Sequence, residues 1–243
     1  TGRLRANMAA AGHKPEDIDH VILSHFHGDH INGLFAKDGT AVYPKAKVHV
    51  PAPEFAYWMD DAKMNAAPPA VKGAFENARR VMGKIAADKL VKFEPGAELA
   101  PGIRSLAAFG HTPGMSVFSV NSKGQSFMYV ADVTNVPSLF ARSPDWAVTF
   151  DMDADMARAT RRRLFDQLCA SAHFARARFY QRLHIGRRLR RRWRPSRSGP
   201  ARPRAGRPCR PCPRCRGRPP MRRVAARAGC RRACVRCRHR GGN

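Results

Sequence analysis

Apolar and polar positions along the 243-residue chain fall into two regimes that meet near residue 168. In the first regime apolar residues recur at helical or strand spacing. Residues 4–11 have helical spacing and stop at Gly12, and Pro15-Glu16-Asp17 turns the chain into a buried strand, Val21-Ile22-Leu23. A second strand is predicted over 47–50. Helical spacing follows over 53–60 and 71–87, the latter with Val71, Phe75, Ala78, Val81, Met82 and Ile85 on one side. Residues 90–93, 103–108, 115–120 and 126–130 read as strands set apart by Gly and Pro, and 153–168 as a closing helix with Asp151 or Asp153 at its N-cap. This alternation of helix and strand predicts an α/β layered domain over 1–168 and argues against a helical bundle or an all-β sandwich.

Past residue 168, Arg, Pro, Ala, Gly and Cys replace the periodic pattern, and no core can be written. Charge divides at nearly the same place. Residues 1–160 hold 17 basic and 17 acidic side chains, so the formal charge of +27 comes entirely from 161–243, with 28 Arg, no Lys and one acid, Asp166. All seven Cys lie there as well (Cys169, Cys209, Cys212, Cys215, Cys230, Cys234, Cys237). Global composition therefore averages two unlike segments and identifies no partner for the whole chain. Three readings of 169–243 stand side by side. It is a disordered basic arm that binds nucleic acid non-specifically, or a zinc module on Cys209-x-x-Cys212-x-x-Cys215 and Cys230-x-x-x-Cys234-x-x-Cys237. The third reading is out-of-frame translation of GC-rich DNA, because Arg, Pro, Ala and Gly have codon families that begin with two G or C bases and Lys does not. The first regime is long enough for a single-domain core. No apolar run reaches the roughly 18 residues of a membrane span, so no membrane partner is expected.

Directly after the first strand comes Ser24-His25-Phe26-His27-Gly28-Asp29-His30. Alternation sets His25 and His27 on one side, and the turn at Gly28 returns Asp29 and His30 toward the same point. Neutral imidazoles with a carboxylate suit zinc and other first-row divalent ions. Two distant residues sit where they could join this cluster: His111, in the Gly/Pro turn Gly110-His111-Thr112-Pro113-Gly114, and Asp132, directly after the predicted strand over 126–130. No Gly-x-Ser-x-Gly, Walker or dinucleotide-binding pattern occurs.

These residues together resemble the signature of the metallo-β-lactamase-fold hydrolase superfamily, a His-x-His-x-Asp-His loop followed by a distant His and then an Asp. Within it the sequence is most similar to the branch of methyl parathion hydrolase and related lactonase- or esterase-like enzymes. The features are Gly110 to Gly114, Phe55-Ala56-Tyr57-Trp58-Met59, Pro101-Gly102-Ile103 and Ala159-Thr160-Arg161-Arg162-Arg163-Leu164-Phe165. The resemblance covers 1–168 and implies an αββα sandwich, expected to be incomplete because the family's first strands, which would precede Thr1, are missing. It implies two divalent metal ions, Zn or else Fe, Mn or Co. His25, His27 and His111 would bind one metal, Asp29 and His30 the other, and Asp132 would bridge them. Asp29 and Asp132 would be the catalytic carboxylates. The implied reaction is hydrolysis of an ester, lactone or phosphotriester in a small ester-like molecule by a hydroxide held between the metals. Asp132, where β-lactamases of this fold carry Cys, argues against antibiotic degradation. A further ligand, a His, is expected near Phe179, flanked here by His173 and His184. Met115 stands where many relatives carry His or Ser, and Trp58 and Phe55 are candidates for an apolar pocket wall. Competing readings are a nuclease of the same fold, disfavoured by the neutral catalytic segment, a nucleic-acid or zinc-binding protein acting through 169–243, and an inactive fragment of the hydrolase.

Overall fold

The computed structural model describes residues 3–170 and the backbone of 174–176. His173, Phe179, His184 and the cysteines from Cys209 onward lie outside the described residues. Among the described residues, eight strands form two sheets. β1 (His20–Ile22), β2 (Lys47–Pro51) and β3 (Leu90–Phe93) are parallel, in the order β1-β2-β3. Parallel strands need long crossovers. The first crossover contains the four-residue α2 (Gly28–Ile31), and the second contains α3 (Ala52–Trp58), α4 (Asp61–Ala66) and α5 (Pro69–Met82). Ahead of them runs α1 (Leu4–Ala10), none of whose side chains is buried. Phe75, Ala78, Val81 and Met82 recur at helical spacing on the buried face of α5. They pack with Leu23, Val48 and Val50 from the sheet into one apolar cluster.

The second sheet has the order β4-β5-β6-β7-β8: β4 (Glu98–Ala100), β5 (Ile103–Ala107), β6 (Ser116–Ser122), β7 (Gln125–Tyr129) and β8 (Phe174–Arg176). β4 to β7 pair antiparallel, and β8 pairs parallel with β7. The β6–β7 hairpin turns on Lys123 and Gly124, with φ of 48° and 73°. Two successive positive φ values are what a tight hairpin turn needs to match strand twist. Past the short α6 (Pro137–Phe140), α7 (Ala154–Ala170) lays Leu164, Phe165 and Leu168 on Val117, Met128 and Val130 of this sheet.

Most differences from the pattern reading are shifts at element ends. The predicted helix over 53–60 is α3, Ala52–Trp58; the separate α4 was not predicted and starts where the Asp60 carboxylate accepts the Lys63 N–H at 3.0 Å as its N-cap. The helix predicted over 71–87 is α5, which ends at Met82 with Gly83 as its C-cap, leaving Ile85 outside. Asp153, not Asp151, caps α7, accepting from Met156 N–H at 2.9 Å. β4 was not visible in the pattern, being three residues long with no fully buried position. β8 pairs with β7 beyond residue 168, where the sequence carries no apolar periodicity. No helix among the described residues is long and apolar enough to cross a membrane.

Candidate metal centre

Three chain segments leave the C-terminal ends of β1, β5 and β7 and converge. His25, His27 and His30 arrive together from the turn after β1. Ring centroids lie 4.9 Å apart for His25 and His27 and 4.0 Å for His25 and His30. His111, from the loop after β5, stands 5.0 Å from His25 and 4.7 Å from His27, ring to ring. Asp132 follows β7, with Oδ1 3.3 Å from His30 Nε2 and Oδ2 3.6 Å from His111 Nε2. Its position is reached through Ala131, which takes a left-handed φ of 44° although it is not glycine. Such a conformation costs about 1–2 kcal/mol, and here it directs the next side chain into the cluster.

Two overlapping sets of donors result. His25, His27 and His111 form one, and His25, His30 and Asp132 the other, with every donor atom of a set within 4.8 Å of its partners. Asp29 belongs to neither set: its side chain is 50% exposed, and Oδ1 lies 4.0 Å from His30 Nε2. His25 is thus common to both groups, an arrangement the expected division of ligands did not contain. The donors fit divalent cations. Two nitrogens bound tetrahedrally at about 2.0–2.1 Å lie about 3.3 Å apart, and His27 Nδ1 and His111 Nε2 are separated by 3.0 Å. His30 Nε2 is buried, faces Asp132 and makes no hydrogen bond.

The surrounding side chains fix how His111 points. Its Nδ1–H donates to Asp151 Oδ1 at 2.9 Å, which leaves the Nε2 lone pair directed at the cluster. Burial opposes charge on Asp151. The hydrogen bonds from His111 and from Val148 N–H, together with Arg161, outweigh it and hold the carboxyl below the usual Asp range. Arg161 is fully buried. It donates to the carbonyls of Val133 (2.7 Å), Pro144 (2.8 Å) and Trp146 (2.6 Å), lies 3.6 Å from Asp151 Oδ2 and stacks on Phe140 at 4.3 Å. One guanidinium therefore braces both the Asp132 turn and the carboxylate behind His111. Tyr129, at the end of β7, is pushed up to about 12 by burial and by the Asp132 charge.

The loop carrying His111 is pressed between two helices. At Gly110 (φ 126°) a Cβ would lie 2.2 Å from Ala157 N, and at Gly114 it would lie 2.0 Å from Glu54 N. Neither position can carry a side chain without moving backbone. Glu54, in α3, is completely buried and accepts four hydrogen bonds, from Phe26 N–H, Trp58 Nε1–H, Thr112 Oγ1–H and Gly114 N–H. Burial raises its carboxyl above the usual Glu range, and the four donors work against that shift. Trp58 is 1% exposed, with its ring packed 4.7 Å from Phe75. It therefore belongs to the core and is no open pocket wall, although its ring also meets His27 edge-on at 6.4 Å. Phe55 packs on Phe26 and under the Lys92 ammonium, and Met115 lies in the core of the second sheet.

Asp151, Arg161 and Glu54 were not singled out as site residues in the sequence. Arg161 sits in a run of three arginines and Asp151 among three closely spaced aspartates, so neither stands out by type. Glu54 does carry a local signal: it lies one turn before Trp58, on the apolar side of a helix.

The described geometry has counterparts. The profile of the metallo-beta-lactamase superfamily matches residues 1–169. No curated protein matches the sequence. Among solved structures, the hydrolase AbOPH of the beta lactamase superfamily superposes with a TM-score of 0.67 at 26% identity, over 72% of this chain and 62% of that one. The dizinc quorum-quenching lactonase AidC, in complex with an N-acyl-homoserine product, gives 0.66 at 29% identity, over 73% and 62%. A probable metal-dependent hydrolase from Staphylococcus aureus shares the fold, with a TM-score of 0.57 at 22% identity, over 71% and 58%. The chain thus spans less than two thirds of the length of these relatives. With the profile match covering the whole segment that builds the His/Asp cluster, this chain belongs to the metallo-beta-lactamase superfamily.

Proposed function

We propose that this chain carries the metal centre of a hydrolase acting on a small lactone or carboxylic ester, in the branch that contains methyl parathion hydrolase and lactonase-like enzymes. The observation that carries the reading is the pair of donor sets sharing His25. Support for the substrate class comes from AidC, a lactonase at 29% identity. His25, His27 and His111 would hold one cation, and His30 and Asp132 would contribute to a second; His25, whose Nδ1 meets Ser24 Oγ, has one nitrogen to offer and serves one cation at a time. Divalent cations there would supply Lewis acidity toward the substrate carbonyl and toward water. The protein's own part is orientation. Asp151 keeps the His111 proton on Nδ1, Ala131 turns the Asp132 carboxylate between His30 and His111, and half-exposed Asp29 stands beside His30 as a carboxylate able to accept a proton from the reaction.

The test is hydrolysis of an N-acyl lactone, an aryl ester and an aryl phosphotriester by the full chain after zinc loading, with and without a chelator. Lactone or ester turnover that vanishes on chelation and in Asp132→Ala is the expected result. Turnover that survives both treatments would refute the reading, and turnover of the phosphotriester alone would move the substrate class.

A further inference from the structure

The two oxygens of Glu54 serve different parts of the site. Oε1 accepts from Phe26 N–H at 2.9 Å and Trp58 Nε1–H at 2.7 Å, and Oε2 accepts from Thr112 Oγ1–H at 2.7 Å and Gly114 N–H at 2.8 Å. Phe26 lies between His25 and His27, and Thr112 follows His111. One buried carboxylate thus joins the backbone of the two segments that supply the first donor set. We propose that Glu54 is a positioning residue for the metal centre, setting the separation of His111 from His25 and His27. The proposal rests on reading those three histidines as metal ligands.

Three observations favour this role over ordinary core packing. Burying a carboxylate is costly unless its lone pairs are met, and an apolar side chain of similar size would fill the space without that cost. Among the described residues Glu54 has no cationic partner in an ion pair, so the carboxylate is kept for its acceptors. All four lone-pair directions of a carboxylate are used: one by Phe26 N–H beside His25 and His27, two by Thr112 and Gly114 beside His111, and one by Trp58 of Glu54's own helix. The approach of α3 to the His111 loop is also built in separately, since Gly114 leaves no room for a Cβ against Glu54 N.

The symmetry of the carboxylate makes Glu54→Gln a sharp test. An amide of the same shape offers an oxygen to one pair of donors and must turn its NH2 toward the other pair, so one wall is released whichever way it flips. Zinc affinity of the full chain is measured by chelator competition at a temperature where circular dichroism shows the variant folded, and the visible spectrum of the cobalt-loaded form is recorded alongside. Affinity is expected to fall about 10–100-fold, as for other residues that orient ligands, with an altered cobalt spectrum. Trp58→Phe removes one Oε1 donor and leaves both walls joined, so it should lose thermal stability with affinity and spectrum unchanged.

Wild-type affinity and spectrum in folded Glu54→Gln would overturn the proposal and leave the metal centre standing. Absence of zinc binding by the unmodified chain would overturn the metal reading and this proposal with it. Should Glu54→Gln not fold, Thr112→Val, which deletes a single O–H donor, decides the matter: a several-fold loss of affinity supports the role, and wild-type affinity rejects it.

Discussion

The wall that carries His25, His27 and His30 comes from six consecutive residues and converges through one turn, whereas the facing wall draws His111, Asp132 and Asp151 from segments as much as 40 residues apart. The first wall is aimed mainly by its own turn. Ser24 Oγ meets His25 Nδ1 at 3.0 Å, Phe26 N–H donates to Glu54 Oε1 at 2.9 Å, and a backbone bond from Ser116 N–H to Ser24 C=O at 2.9 Å ties the loop to β6. The second wall is held by buried polar groups, namely Arg161 on three carbonyls and Asp151 behind His111. Ligands close in sequence can be aimed by local geometry. Ligands far apart need a polar scaffold that costs stability wherever it is left incomplete.

The comparison breaks most directly at Arg161. Arg161→Met leaves three carbonyls without their donor and Asp151 without its facing cation in a closed interior, and a loss of about 3–5 kcal/mol is expected. Urea unfolding of the metal-free protein measures it. His27→Ala on the first wall should shift the same curve by about 1 kcal/mol or less. Equal shifts for the two substitutions would remove the distinction between the walls.

How much of this could be seen in the sequence follows the same division. The His25 to His30 run is visible because strand alternation and one glycine turn act within a few residues, and β1, β2, α5 and α7 are visible because each buries a regular apolar face. His111 and Asp132 could be placed only by their positions after predicted strands. Asp151 and Arg161 could not be placed, since a buried aspartate and a solvated one look alike until tertiary packing encloses one of them. Glu54 was open to detection as a lone acid on the buried side of α3. The left-handed turn at Ala131 carries no residue signal, because glycine or asparagine is the usual mark of that conformation.

A smaller effect sharpens the contrast. Asp151→Asn keeps an oxygen for His111 Nδ1–H while losing the charge that faces Arg161, and zinc affinity should drop about 10–100-fold with the fold retained. Competition titration against a chelator checks it. An unchanged affinity would show that His111 is aimed by the two glycines and the helices around it rather than by the carboxylate.

The central claim is that two donor sets meet at His25, and the number of zinc ions held by single-site variants tests it most directly. Zinc content per chain, measured after dialysis of the full-length protein, should show His27→Ala keeping only the ion of the His25/His30/Asp132 set. His30→Ala should keep only that of the His25/His27/His111 set. His25→Ala, which leaves two donors in each set, should lose at least one ion. Wild-type zinc content in folded His25→Ala would contradict the account.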